Sequence, residues 1–308
     1  MHLFHLFRRG DTQAASGLRG TALGLFAAIC YGFIPFFTLP ISHQGDPADK
    51  LPDISILFYR FLFAALLLGI IQLVRRASFR ISRPEAVTLL YLAFISDGSA
   101  LFLLAGYNYM PSGVATTIHF MYPVVTAVVM MLFYHEARRW TTLTAVGMAV
   151  LGVAVLSWPT DSNAISLRGV IIVLISAVCY ALYIIRVNRS RAHDMDSGRL
   201  TFYVMLFGAL IFGAEALRQH HLQPLTTLTQ VTHLGALALV CTVVTNLCVV
   251  AAVKRIGSTM VAVLGAFEPL TAVVVGTLVF SEPFTPKVLL GVLLVIPAVM
   301  IIIFTRSR

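Results

Sequence analysis

Ten apolar stretches divide this chain, at approximately residues 19–40, 54–74, 86–107, 113–134, 140–158, 168–187, 200–218, 232–253, 258–280 and 286–305. Each is long enough to cross about 30 Å of hydrocarbon as a helix. The runs are continuous rather than alternating, which argues against a membrane β-barrel. Charged residues make up 11% of the chain and mean hydropathy is +0.89, whereas a soluble globule carries about 25% charge. The reading is an all-α integral membrane protein with ten transmembrane helices, no separate soluble domain, and the lipid bilayer as its solvent.

The ten spans form two sets of five. Gly20, Cys30 and Tyr31 recur as Gly169, Cys179 and Tyr180, and Phe58-Tyr59-x2-Leu62-Phe63 recurs as Phe202-Tyr203-x2-Leu206-Phe207. Pro123 stands thirteen residues before Glu136, as Pro269 stands thirteen before Glu282. The expected repeats are residues 19–158 and 168–305. Duplication of an apolar chain points to a transporter of two related halves, with its site where they meet.

Charge orients the chain. With the N-terminus in the cytoplasm and sides alternating, the inner segments hold 17 Lys and Arg residues and the outer segments four, Lys50, Arg168, Arg218 and Lys287. This positive-inside bias puts both termini in the cytoplasm and the protein in the cytoplasmic (inner) membrane. The net charge of +9 therefore belongs to membrane orientation, and no nucleic-acid partner is expected. Five spans per repeat, an odd number, make the second repeat enter from the opposite side, so the repeats are expected to be inverted. Met1–Gly10 does not read as a cleavable signal, because its apolar residues precede Arg8 and Arg9 and the next apolar run is long enough to span. Cys30, Cys179, Cys241 and Cys248 all fall within spans without metal-binding spacing. No metal or other cofactor is expected.

Specific residues then supply a family resemblance. Met121-Tyr122-Pro123-Val124-Val125-Thr126, Tyr134-His135-Glu136 and the Gly-rich stretch from Val146-Gly147 to Leu151-Gly152 resemble an EamA repeat. Phe267-Glu268-Pro269-Leu270, Phe280-Ser281-Glu282 and Leu290-Gly291 resemble a second. EamA proteins belong to the drug/metabolite transporter superfamily. The resemblance implies helices 1–4 and 6–9 around a central cavity, with 5 and 10 peripheral. It also implies cargo among amino acids, other metabolites, drugs or nucleotide sugars.

Ionisable groups within spans cost about 2.5–3.5 kcal/mol each on insertion scales, so they usually face water or a partner. Arg60, Asp97, His119 and Glu268 are the candidates for substrate binding or coupling. Arg60 suits an anionic group, or could snorkel to the outer headgroups. Asp97 and Glu268 could carry a proton, bind a cation or pair with Arg60. His119 is either a titrating group or a neutral partner of a neighbouring helix. Asn246 needs a hydrogen bond. Tyr31, Tyr59 and Tyr122, with Tyr107, Tyr180 and Tyr203, could line a cavity or simply pack. Glu136 and Glu282 read as caps or anchors at span ends, and Glu215 as a solvated end residue. Pro123, Pro269 and Pro35 are candidate hinges, Pro123 and Pro269 freeing the carbonyls of His119 and Gly265, while Pro297 is a weaker bend. Gly20, Gly24, Ala28 and Gly32 form a small-residue face for close helix packing.

The polar positions are not duplicated: Val204, Val243, Gly265 and Tyr122 stand where the other repeat has Arg60, Asp97, His119 and Glu268. The expected function is secondary transport by alternating access. The cargo is an amino acid or similar zwitterionic small molecule, export the direction, and a proton the candidate coupling ion. Uptake of a quaternary amine such as choline, or nucleotide-sugar transport, are alternatives. A membrane enzyme or scaffold is disfavoured, because no nucleophile motif or ATPase signature is present. Assembly as a homodimer stays open.

Overall fold

The computed structural model describes residues 2–42, 46–134, 140–157, 166–192 and 194–306. Those residues form helices without a strand. They are α1 (His2–Gly32), α2 (Ile34–Thr38), α3 (Asp53–Val74), α4 (Arg83–Gly106), α5 (Ser112–His119), α6 (Tyr122–Phe133), α7 (Trp140–Ser157), α8 (Leu167–Arg189), α9 (Ser197–Arg218), α10 (Leu228–Ala238), α11 (Thr245–Leu264), α12 (Phe267–Phe280) and α13 (Pro286–Arg306). A π-helical turn, Leu239–Val244, joins α10 to α11. Glu136, Arg138 and Arg139 lie outside the described residues.

Among these residues, eight helical segments are long and apolar enough to cross a membrane: Ser16–Ile41, Asp53–Val74, Arg83–Gly106, Ser112–Phe133, Leu167–Val187, Ser197–Arg218, Leu228–Val253 and Pro286–Phe304. The expected spans five and nine correspond to shorter apolar helices, Trp140–Leu156 and Phe267–Phe280. The expected boundary between spans eight and nine, at residues 254–257, also moves. Helix α11 runs through it to Leu264, and the chain breaks at Gly265–Ala266 instead. Gly257 alone disfavours helix by about 1 kcal/mol, too little to stop it. Pro269 cannot donate to the carbonyl of Gly265 and so ends the regular ladder.

Local signals set other ends. Ser82 and Glu85 form a capping box at the start of α4, the Ser82 N–H donating to the Glu85 carboxylate at 2.6 Å. Thr227 and Gln230 do the same for α10. Breaks follow the prolines: Phe33 separates α1 from Pro35, and Phe120–Met121 separates α5 from Pro123. Pro297 instead lies inside unbroken α13. Helix α8, with Ile184 at the level of Pro35, is also unbroken.

The two halves interleave as antiparallel helix pairs. The start of α3 meets the end of α9, where the Ser55 hydroxyl donates to the His221 carbonyl at 2.5 Å; the end of α3 brings Gln72 to Gly198 at the start of α9. Helix α4 runs against α8, with Gly106 on Val173 and Gly98 on Cys179. Helix α1 runs against α11, with Gly20 on Ile256 and Cys30 near Cys241. The small-residue face thus packs on the other half, and Gly32 lies where a Cβ would meet Thr271 and the Glu268 carbonyl. Helices α7 and α13 pair through Gly152 on Val295 and Gly291 on Leu156. Arg199 donates to the Arg80 carbonyl at 3.1 Å and Tyr203 to that of Phe79 at 2.5 Å, so segments 75–84 and 186–199 share one end of the molecule. Outward-facing apolar side chains such as Phe94 (67% exposed), Leu210 (60%) and Leu278 (78%) cover helix surfaces, as lipid contact requires.

Helices α5 and α12 approach most closely at Gly113, where an added Cβ would stand 2.6 Å from the Val273 Cα. Gly113→Ala is therefore expected to destabilise the fold by about 1–3 kcal/mol. Gly147→Ala, inside α7 with nothing within 4 Å, should instead be tolerated or stabilise by up to about 1 kcal/mol. Thermal unfolding in detergent of the two variants checks this.

Candidate functional site

A cavity of about 140 Å³ lies between the two halves, walled by α1, α2, α3, α4, α5, α6, α8, α9, α11, α12 and the π turn. Arg60, His119, Glu268, Asn246, Tyr31 and Tyr122 all line it. So do Tyr180, Tyr183, Ser96, Ser99, Cys241 and Thr242. Its volume is close to that of an engineered cavity of about 150 Å³ that admits benzene, so it suits a small organic molecule.

Each polar group is held by a specific partner. The guanidinium of Arg60 points into the protein: its Nε donates to the Thr242 hydroxyl at 3.3 Å, and its Cζ stands 5.8 Å from the Phe61 ring centroid. Thr242 belongs to the π turn and bonds back to the Leu237 carbonyl, five residues earlier, at 3.3 Å. The Asn246 amide donates to the Thr242 carbonyl at 2.6 Å. His119, at the end of α5, shares a 3.0 Å hydrogen bond through Nδ1 with the Ser176 hydroxyl of α8. Ser176 in turn lies 2.6 Å from the Ser99 carbonyl. His119 is thus both tied to a neighbouring helix and on the cavity wall.

Aromatic rings make up one side. Tyr122 and Tyr180 meet edge to face, centroids 4.6 Å apart, and Tyr183 stacks on Tyr180 at 6.0 Å. His119 lies 5.5 Å from Tyr180. Such rings present electron-rich faces to a cation while their hydroxyls remain polar. Glu268, in the first turn of α12, adds a carboxylate to the same wall.

Other sequence-derived candidates lie elsewhere. Asp97 is buried (3% exposed) against Gly208 and is not on the cavity wall. Tyr59 donates to the Gln223 carbonyl at 2.9 Å, away from the cavity, and Tyr107 pairs with Thr116 at 3.3 Å. Of the alternatives for Asp97 and Glu268, pairing with Arg60 is not formed: among the described residues the ion pair present is Arg218–Glu215, at 2.6 Å near the end of α9. Arg60 is satisfied instead by a hydroxyl and a ring. The Gly265 carbonyl, expected to be freed by Pro269, accepts from the Glu268 N–H at 3.0 Å, because the turn tightens around it. Glu282 caps across the halves, its carboxylate accepting from the Ser112 N–H at 2.8 Å.

Sequence reasoning missed Tyr183, Ser176 and Thr242. The spacing of Tyr180 and Tyr183, three apart on one helix face, was a usable signal. Thr242 gave none, since its orientation comes from the π turn.

The wall is itself two-fold. Using the offsets of the sequence repeat, Tyr31 corresponds to Tyr180, Ile34 to Tyr183, Phe61 to Met205, Ser96 to Thr242, Ala100 to Asn246 and Tyr122 to Glu268. Both members of every pair line the cavity.

These features define a multi-pass helical membrane protein with an internal duplication around one chamber. The chain belongs to the EamA-like transporter family, whose model matches residues 18–158 and again 167–304. An uncharacterized transporter of Archaeoglobus fulgidus is 27% identical over 110 residues, covering 36% of this chain and 38% of that relative. A solved crystal structure of a protein 13% identical in sequence superposes with a TM-score of 0.65 over 94% of this chain and 99% of that one, a likeness of fold alone. The family is one of transporters.

Ser176→Ala would leave His119 Nδ1 without its partner in a buried site. It is expected to cost about 1–3 kcal/mol, read as a lowered unfolding midpoint, whereas Ser176→Thr should retain most of the stability.

Proposed function

We propose that this protein is a secondary transporter that exports amino acids or similar small zwitterionic metabolites across the cytoplasmic membrane by alternating access, coupled to protons. Its working form has ten membrane crossings in two inverted five-helix repeats, residues 19–158 and 168–305, with both termini cytoplasmic. The antiparallel pairing of α3 with α9 and of α7 with α13 supports inversion, because these are equivalent helices of the two repeats. The 17-to-four bias of basic residues supports the orientation.

One observation carries the choice of cargo: Arg60 and Glu268 open onto the same small cavity beside a cluster of tyrosines. A guanidinium suits a carboxylate, and a carboxylate with aromatic faces suits an ammonium group. A cavity on the pseudo-two-fold axis is the arrangement in which rocking of two halves exposes one site alternately to each side. Pro123, Pro269 and Pro35, each next to a helix break at the wall, are the positions where such rocking would bend the chain. The same tyrosines and Glu268 also favour a second reading, uptake of a quaternary amine, but Arg60 in the same chamber opposes a purely cationic cargo.

Reconstituted vesicles preloaded with a mixture of amino acids should show saturable counterflow of at least one radiolabelled amino acid. Arg60→Gln is expected to raise its half-saturation at least about tenfold, equivalent to about 1.4 kcal/mol. Saturable flux of choline alone would replace this reading with the amine carrier, and no flux of either would remove both. Separately, cysteines introduced within 75–84 and 186–199 should react from the cytoplasmic side only; labelling from opposite sides would end the inverted arrangement.

A further inference from the structure

The two carboxyls to which the sequence gives the same candidate roles, Asp97 and Glu268, are separated by the fold. Glu268 lines the cavity, whereas Asp97 stands behind its wall. Neither Asp97 oxygen has a hydrogen-bond partner. A Cβ added at Gly208 of α9 would lie 2.7 Å from Asp97 Oδ1 and 2.9 Å from the Phe61 ring. Asp97 therefore fills the space left by an absent side chain, next to a ring that belongs to the cavity wall.

The repeat supplies an independent measure of what this position demands. Its equivalent in the second half is Val243, 1% exposed and likewise absent from the wall. The scaffold calls for an apolar group here. An isolated carboxylate in such a place is prohibitively costly, whereas a protonated carboxyl costs only its unmade hydrogen bonds. Among the described residues, no neighbouring charge offsets ionisation. Arg60 on α3 turns to Thr242, and His119 on α5 turns to Ser176. On α8, Tyr180 and Tyr183 line the cavity, and Cys179 lies against Gly98. On α9, Tyr203 is bonded to Phe79, while Arg199 and the Glu215–Arg218 pair lie towards the helix ends.

We infer that Asp97 is a proton-binding site distinct from the cargo site, occupied while α4 and α9 are closed on each other and emptied when they part. This rests on the proton-coupled carrier reading above. Water entering the parted seam accepts the proton from the carboxyl oxygen and solvates the carboxylate left behind. Reclosure requires a proton to return from water to that oxygen. Phe61, touching both the Asp97 pocket and the cavity, is the side chain through which the two sites sense each other. The polar atoms of Glu268, facing the chamber, are then left for cargo.

The test uses the full chain in lipid vesicles with protons as the only added ligand. Infrared difference spectra across a pH titration should contain a protonated-carboxyl component at neutral pH that Asp97→Asn abolishes and Glu268→Gln retains. Should the Asn variant fail to accumulate, Asp97→Leu removes the carboxyl while keeping the same branched heavy-atom skeleton. Survival of the component in either Asp97 variant overturns the assignment, as does its absence from the unaltered protein. In parallel, counterflow of the radiolabelled amino-acid mixture should persist in Asp97→Asn while its stimulation by a pH gradient is lost. Gradient stimulation retained in that variant overturns the coupling role. The component present without any counterflow sustains the proton site and sinks the carrier reading; counterflow without the component does the reverse.

Discussion

Inside a bilayer the backbone has no water to bond with, so every N–H and C=O must be answered within the protein. This constraint organises the molecule. Four irregular places within its apolar helices are the break at Phe33, the turn at Phe120–Met121, the π turn Leu239–Val244 and the turn at Gly265–Ala266. All border one chamber. Tyr31 precedes the first, His119 and Tyr122 flank the second, Cys241 and Thr242 belong to the third, and Glu268 follows the fourth. Each break adjoins or contains a residue that lines the chamber. The π turn illustrates the economy: its five-residue bonds from Thr242 and Thr245 occupy the displaced carbonyls of Leu237 and Val240, and the hydroxyl turned out by that geometry holds Arg60.

Between lipid-solvated helices there is little hydrophobic drive to associate, so close packing and interhelical hydrogen bonds must hold them. Glycines provide the first. Gly20, Gly32, Gly106 and Gly113 each lie where a side chain would strike the opposite half. The bonds provide the second: Glu282 on the Ser112 N–H, Ser176 between His119 and the Ser99 carbonyl, and Cys241 on the Cys30 carbonyl at 3.0 Å. These contacts cross between the halves rather than staying inside one. Neither half would be complete alone.

Much of this was legible in the chain itself, because helix length, repeat spacing and intramembrane charge are dictated by the solvent. The breaks beside Pro35 and Pro123 and the close packing of α1 through its small residues follow from local chemistry. What stayed hidden depends on three-dimensional register. Nothing in the run Leu239–Val244 distinguishes a π turn from an α-helix, so Thr242 could not be picked from its neighbours. Asp97 and Glu268 looked alike as carboxyls within spans, yet Asp97 shares its helix with the wall residues Ser96 and Ala100 and still points away from them, toward Gly208. The helical run through residue 257 defeated boundary reading, since the proline that stops it lies twelve residues further on.

The duplicated wall explains why the chemistry is not duplicated. A chamber built on a two-fold axis presents each position twice, so an unaltered repeat would offer a pair of identical groups. Here position 122 is tyrosine in one copy and the equivalent 268 is glutamate, while positions 100 and 246 are alanine and asparagine. Two facing glutamates would repel in a site poorly screened by water, and two facing tyrosines would supply no charge. One of each gives an anion bordered by rings. Arg60, set against Val204 in the other copy, breaks the symmetry a second time. The result is a chamber whose shell is symmetric and whose charges are polar in direction. A symmetric shell has two equivalent ways to open, and an asymmetric charge pattern gives a bound molecule one preferred orientation in both. In the proposed alternating-access cycle, that combination would let a single set of contacts follow the cargo from one side of the membrane to the other.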